Sequence, residues 1–301
     1  MMIEKMMEEK IMINKGLTIS IIFQAESANY GEGIGNVTSL KKLSRGAGDQ
    51  YTYISRQALR YNIVNQMGVD NTPIGVDGSV LQFDKEAMID EYPEIDLFGY
   101  MKTGKDTKTR SAIARLSNAV SLETFKGDLD FLTNKGLLDR YTKTNKKDGG
   151  NIAQSEIHRS YYAYTITVDL DQVGIDKNED IEIDNEEKAN RIEKLLNTIR
   201  YLYRDIKGRR EDLSPLFVIG GVYDIKNPLF YNALDVKNNE VVLERIKSVL
   251  SDAKIKEQTQ IGLVKGVFDN TKEIEDSLNT IEINEFFSNL KNKVRQYYES
   301  N

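Results

Sequence analysis

The apolar positions of this chain gather into a few periodic runs separated by polar stretches. "LTISIIF", residues 17–23, is β-branched and apolar with partial alternation, which predicts a buried strand that opens the core. "YYAYTITVDL", residues 161–170, sets Tyr162, Tyr164, Ile166, Val168 and Leu170 against Ala163, Thr165, Thr167 and Asp169, the alternation of a half-buried strand. "LFVIGGVY", residues 216–223, predicts a third, central strand that is bent or closely approached at Gly220 and Gly221. Between the second and third, Ile192, Leu195, Leu196, Ile199, Leu202, Tyr203 and Ile206 share one stripe. That period predicts a helix over residues 186–206, with Asn185 to cap its start and Gly208 to end it. A shorter helix begins at Ser55 or Arg56 and runs to about Met67, burying Ala58, Leu59, Ile63 and Val64. A last amphipathic helix uses Phe286, Phe287, Leu290, Val294, Tyr297 and Tyr298.

Strand, helix, strand, helix, strand, with a long interruption over about residues 68–160, predicts one α+β core carrying insertions. The acidic half of the interruption ends in "DLFGYMKTGKDTKTR", and its basic half contains "LSNAVSLE" and "YTKTNKKDGGNIAQSE". Asp148, Gly149, Gly150 and Asn151 are strong turn residues, compatible with a protruding hairpin and equally with an exposed loop.

Composition narrows the chemistry. Among 301 residues there is no cysteine, which removes disulfides, thiolate catalysis and cysteine-bound zinc, and the single histidine, His158, leaves little room for histidine-based metal or triad chemistry. His158, in "SEIHRSYY", is expected at the surface or a strand edge. No apolar run reaches 18 residues, and "MMIEKMMEEKIMINKG" at the start is broken by charges, so neither a signal peptide nor a membrane span is expected and the cytoplasm is the default location.

The formal net charge is −6, but it is unevenly spread. Residues 41–60 hold Lys41, Lys42, Arg45, Arg56 and Arg60 against Asp49, a balance of +4; residues 61–100 balance to −7, and residues 101–160 to +5. Local basic surfaces on an acidic body are one way to bind a polyanion without general stickiness. "GEGIG", residues 31–35, follows the first strand but has neither dinucleotide-binding nor Walker spacing, so a backbone-exposed loop is expected. The acids Asp84, Glu86, Asp90, Glu91, Glu94 and Asp96 sit on no identifiable rigid element; a solvated face fits them better than a magnesium site. The sharper constellation is "LKKLSRGAGDQYTYISRQALR". Its cations, its small residues and a helix start at Ser55 make a sensible phosphate clamp, to which Ser55 and Gln57 can add neutral hydrogen bonds. A plain surface helix beside a basic loop remains the alternative.

"YISRQALRYNI" resembles the R-x-S-S-Q type signature at the first helix of the CRISPR-associated Cas-seven superfamily, the repeated backbone subunit of type I Cascade complexes. "GLTISIIFQAESANYGEG" is similar to that family's first strand and following loop, and "DLFGYM" to its D-x-x-x-FG-x-M element. "RSAIARLSNAVSLE", "SYYAYTITVDL" and "LSPLFVIGGVYDIKNPLF" follow in the family's order, from about Gly16 to Phe230 and most closely to the DevR or Cst type of type I-B systems. The resemblance implies a single RRM-like, ferredoxin-like domain over residues 1–301, with fingers, palm and thumb insertions, the thumb hairpin lying within 68–160. It implies a nonenzymatic subunit without metal or cofactor. Such a subunit binds CRISPR RNA, polymerises with further copies of itself, contacts other Cascade subunits and presents the guide to a target DNA strand. Carried over by position, Ser55, Arg56, Gln57 and Arg60 would touch the guide backbone, with Lys41, Lys42 and Arg45 in the adjoining loop. Lys102, Lys105, Lys108, Arg110 and Arg115 would add RNA contacts, and Phe98 and Met101 are the candidate contacts at a guide kink. Two alternatives stay open: a metal-dependent ribonuclease like the type III relatives, and a DevR-like regulator. The relatives' catalytic aspartate has no counterpart in residues 24–35, which hold Glu26 and Glu32; the arginine before the serine is also missing, its place taken by Tyr53 and Ile54.

Overall fold

A computed structural model describes residues 15–31, 33, 35, 37–104, 106–133, 135–145 and 152–301. In chain order it contains β1 (Gly16–Ala25), β2 (Lys42–Arg45), β3 (Asp49–Ile54), α1 (Arg56–Met67), β4 (Ile74–Asp77), β5 (Val80–Phe83), α2 (Pro93–Phe98), β6 (Tyr100–Lys102), β7 (Lys108–Arg110), β8 (Ala114–Leu116) and β9 (Ala119–Ser121). There follow β10 (Asp128–Thr133), α3 (Lys135–Asn145), β11 (Ile152–Ile157), β12 (Ser160–Asp169), α4 (Asn185–Arg200), β13 (Tyr203–Ile206), β14 (Arg209–Asp212) and β15 (Phe217–Tyr223). Beyond several short elements, β16 (Thr259–Leu263) and a C-terminal α5 (Ile283–Glu299) complete the core.

The main sheet has eight strands in the order β16, β15, β1, β12, β9, β3, β2, with β8 also on β12, and its neighbours are antiparallel. β1 lies at its centre because both of its faces are apolar or small: Leu17, Ile19, Ile21 and Phe23 alternate with Thr18, Ser20 and Ile22, all buried. Gly16 stands opposite Asp169 on one side and Tyr223 on the other. At Gly220 a Cβ would sit 2.1 Å from the Thr18 carbonyl oxygen, and at Gly221 2.0 Å from that of Gln258, so the close approach read from these glycines is present in both directions.

Helices α1, α4 and α5 cover one face. Leu59, Ile63 and Met67 of α1, Ile192, Leu195 and Ile199 of α4, and Phe286, Phe287 and Leu290 of α5 pack on Leu17, Ile19, Phe23, Tyr162, Tyr164 and Ile166. On the opposite face, Ile22, Phe217 and Ile219 pack beneath Phe230, Leu243, Ile246, Phe268 and Ile274. That cover leaves the β9, β3 and β2 side of the face open as a groove of about 500 Å³, lined by Arg45, Tyr51, Asn118, Ala163, Tyr231 and Arg245.

Two insertions project from the core. Residues 68–113 carry the hairpin β4–β5, whose register sets Ile74 opposite Phe83 and Val76 opposite Leu81. Its inner face is polar, with Thr103 donating to Asp77 and Gln82 through its hydroxyl; Ile74, Val76 and Leu81 are 69, 66 and 74% exposed. The second insertion pairs β10 with β11 antiparallel, with α3 between them in the chain. Its proposed turn at residues 148–151 lies outside the described residues, as do residues 1–14, Glu32 and Lys105.

Three expectations change. The helix expected over 186–206 ends at Arg200, with Asp184 and not Asn185 as its cap; Leu202, Tyr203 and Ile206 continue into the β13–β14 hairpin, whose two-residue turn takes Lys207 and Gly208 to φ 50° and 75°. His158 is buried, its Nδ1 2.8 Å from the Thr52 hydroxyl, and burial pushes its pKa down. The acidic run is no solvated face throughout, since Asp96 is fully buried.

Candidate nucleic-acid interface

Helix α1 starts where the sequence sets it to start. Ser55 is in extended conformation, and its hydroxyl accepts the Ala58 N–H at 3.3 Å, satisfying one of the orphan donors of the first turn. The same hydroxyl takes the Asn29 Nδ2 at 3.3 Å, and the Asn29 N–H reaches the Tyr53 carbonyl at 3.2 Å, so the loop after β1 is tied to the helix start. No acid occupies the first turn of α1, and the N-terminal end of its dipole is left uncompensated. The Arg56 N–H donates to Asn118 Oδ1 at 2.9 Å.

Beside this helix start lies a groove of about 500 Å³ lined by Arg56, Gln57, Arg60, Phe98, Ala112, Ala114, Arg115 and Leu116. Arg56 and Gln57 are exposed, and among the described residues no carboxylate pairs with Arg56. Arg60 lies over the Phe98 ring, 5.2 Å from its centroid, with Glu94 at 3.5 Å; Arg115 is paired with Asp169 at 2.7 Å and is half exposed. Three guanidiniums line one groove, and the acids paired with two of them, Glu94 and Asp169, are not part of its lining. An ionised phosphate accepts bidentate N–H donors of this kind, and charge-assisted bonds of that type are the strong ones. Asn118 joins this groove to the one over β9 and β3, where Arg45 lies over Tyr51 at 5.3 Å.

The other expected contacts are placed variously. Lys41 is exposed. Lys42 is held by Glu156 of the arm at 2.6 Å and lies over the Phe125 ring, so it joins β2 to β11. Lys108 pairs with Glu179 at 2.7 Å. Lys102 and Arg110 are turned inward: Lys102 is 3% exposed and donates to the Lys85 and Ala87 carbonyls, and burial lowers its pKa. Arg110 donates to Asp96 Oδ1 at 2.6 Å and to the Ile175 and Gln172 carbonyls. Asp96 Oδ2 also takes Arg191 at 2.9 Å, and the Gly174 N–H completes its shell. A carboxylate flanked by Ile95, Leu97 and Phe98 inside the protein demands cations, which Arg110 and Arg191 supply. Phe98 is 5% exposed and Met101 55%, so of the two candidate wedge residues only Met101 offers its side chain to solvent. Asn118, Tyr51, Tyr231 and Arg245 line the open face without having been expected there; Tyr51 precedes the helix by a few residues in an alternating strand and could have been read as outward-facing. The described residues hold no group of three or more metal-ligating side chains, and none of their helices is long and apolar enough to cross a membrane.

The described residues form an α+β body with a cationic groove at a helix N-terminus. The family model described as "CRISPR-associated negative auto-regulator DevR/Csa2" matches residues 17–244, and the chain belongs to that family. Its fold is shared with a chain described as "CRISPR RNA-guided surveillance complex, pre-nicking", at 12% identity and TM-score 0.59, over 91% of this chain and 100% of that one. A second, described as "CRISPR RNA-guided surveillance complex", aligns at 15% identity and TM-score 0.55 over 91% of this chain and 99% of that one. No curated protein matches by sequence.

Proposed function

We propose that this protein is a nonenzymatic backbone subunit of a type I Cascade complex. It coats a CRISPR RNA through contacts to the sugar-phosphate chain, polymerises with further copies along the guide and leaves the bases free for a target DNA strand. The observation that carries the reading is the convergence of Arg56, Gln57, Arg60 and Arg115 on one groove at the start of α1. Phosphates look alike from any spacer, so a backbone reader needs charge and donors at fixed positions and no base-edge code. In this reading the core is RRM-like: taking β8 and β9 together, the order β15, β1, β12, β8/β9 with α1 and α4 on one face is the four-stranded ferredoxin-like pattern; β8 and β9 interrupt the long stretch expected over 68–160, and residues 68–113 and the β10–α3–β11 arm are insertions into a single domain. The β10–α3–β11 arm, which exposes Leu129, Phe131, Leu132 and Leu137, is the thumb that reaches a neighbouring copy. Against a ribonuclease stands Glu26, the described carboxylate in the loop after β1, which is engaged by Arg209 at 2.5 Å.

The purified chain binds a guide-length RNA with affinity falling by about 0.7 log units per log unit of salt for each phosphate neutralised. The double variant Arg56→Glu, Arg60→Glu loses RNA co-purification while its circular dichroism is unchanged; undiminished RNA retention removes this groove from the interface. Incubation of labelled RNA with Mg²⁺ gives protection and no new fragments, whereas cleavage supports the nuclease reading. The family's description as a negative auto-regulator favours a regulator as the second reading, and preferential binding of duplex DNA over RNA in the same assay selects it.

A further inference from the structure

The β13–β14 hairpin lines neither the Arg56 groove nor the open sheet face, yet it contacts the far end of the helix that carries Arg56 and the loop that is tied to its near end. At the far end of α1, the Gln66 side-chain amide pairs with the backbone of Tyr203, donating to its carbonyl at 2.5 Å and accepting its N–H at 3.2 Å. Toward the near end, Glu211 Oε1 accepts the N–H groups of Ser27 at 2.8 Å and Glu26 at 3.2 Å, while its Oε2 is held by Arg204 at 2.7 and 2.9 Å. The Arg209 guanidinium spans Glu26 Oε1 at 2.5 Å and the Ser27 hydroxyl at 2.6 Å. Two residues further on is Asn29, whose amide reaches the Ser55 cap.

We infer that the β13–β14 hairpin braces α1 at both ends, and that Arg209 and Glu211 are positioning residues for the cationic groove. The effect on RNA rests on the guide-binding reading; the brace itself does not. Arg204 and Glu211 are only 5 and 10% exposed, so their charges act in a low-dielectric setting where loss of one leaves the other uncompensated. Arg209 has both terminal nitrogens engaged within the protein and acts on the groove through Glu26, Ser27 and Asn29, without touching phosphate. Bidentate recognition tolerates errors of only about half an ångström, so a loosened cap at Ser55 costs affinity although every groove residue is still present.

The test compares the full chain with Arg209→Ala and Arg209→Lys. In Arg209→Ala, amide hydrogen exchange in the first turn of α1 speeds up at least tenfold, guide-length RNA binds about tenfold more weakly, and the slope of log affinity against log salt is unchanged. Arg209→Lys, which keeps the ion pair to Glu26, recovers most of both. A slope shallower by about 0.7 means that Arg209 itself neutralises a phosphate, and it overturns the positioning role. Unchanged exchange overturns the brace, and unchanged affinity in a chain that binds RNA overturns the positioning role. Faster exchange in a chain that binds no RNA with Arg209 intact leaves the brace standing and rejects the guide-binding reading instead.

Discussion

Asp96 and His158 are the two titratable residues whose burial most changes what the chain can do. Asp96 is wholly inside, with Arg110 and Arg191 on its two oxygens and the Gly174 amide between them. Removing the carboxylate leaves two guanidiniums without their common partner, and breaking a buried pair costs about 3–5 kcal/mol. Asp96→Ala is therefore expected to lower the urea midpoint strongly, whereas Glu86→Ala, at an exposed position, leaves it nearly unmoved. For His158, burial holds the folded pKa below the ordinary value of 6.5. The unfolded chain then binds the proton that the folded chain refuses, so stability is fully present above pH 6.5 and falls as the pH drops through the window below it. Because the chain has one histidine, the decline in Tm between pH 7 and pH 5.5 belongs to this residue, and His158→Gln flattens it. Neither effect follows from residue type alone. Arg56 and Gln57 were legible because nothing nearby in sequence competes for them, while Lys102 and Arg110 look identical to surface cations until their partners, distant in the chain, are in place.

At the scale of elements, local signals were read well where they were self-contained. Ser55 before an apolar period marks the start of α1 because the cap hydrogen bond is made within three residues. The end of α4 was obscured for the opposite reason. Leu202 keeps the helical period although the backbone has turned, because it is still buried in the same core, while Ile206 keeps the period in a hairpin strand that only half buries it. Gly208, expected to end the helix, lies eight residues beyond its last residue and forms a hairpin turn with Lys207. Gly220 is a clearer case, since alternating apolar residues around it identify the strand and only a close neighbour explains the missing side chain. The Cβ of Gly220→Ala would meet the Thr18 carbonyl oxygen at 2.1 Å, where backbone on both sides cannot yield. That substitution is expected to destabilise the fold by at least about 2 kcal/mol, measurable by denaturant titration, while Gly46→Ala in the open β2–β3 turn is limited to its positive-φ strain of about 1 kcal/mol.

Taken whole, the molecule concentrates its stability in one sheet and its helices, and carries its two insertions on the outside. The arm illustrates the division: Lys42 to Glu156 and the parallel rung from Val37–Thr38 to β11 anchor its base, while most of β10 and α3 faces solvent. Replacing residues 128–157 by a short Gly-Ser link is expected to leave a folded monomer that still binds a short RNA. In the guide-coating reading the same variant fails to build multi-copy assemblies on a long one, a difference that mass photometry resolves.

The exposed face of β4–β5 has a consequence for the free protein. Ile74, Val76 and Leu81 form an apolar strip on an insertion rich in acid, with Asp77 on the hairpin itself and Asp84, Glu86, Asp90 and Glu91 just beyond it. Like charges hold two such strips apart only over a Debye length, which is about 10 Å at 0.1 M salt and about 3 Å at 1 M. High salt therefore removes the colloidal barrier between strips. The pair-interaction coefficient of the RNA-free chain should turn from repulsive to attractive as salt rises, and Leu81→Lys should keep it repulsive.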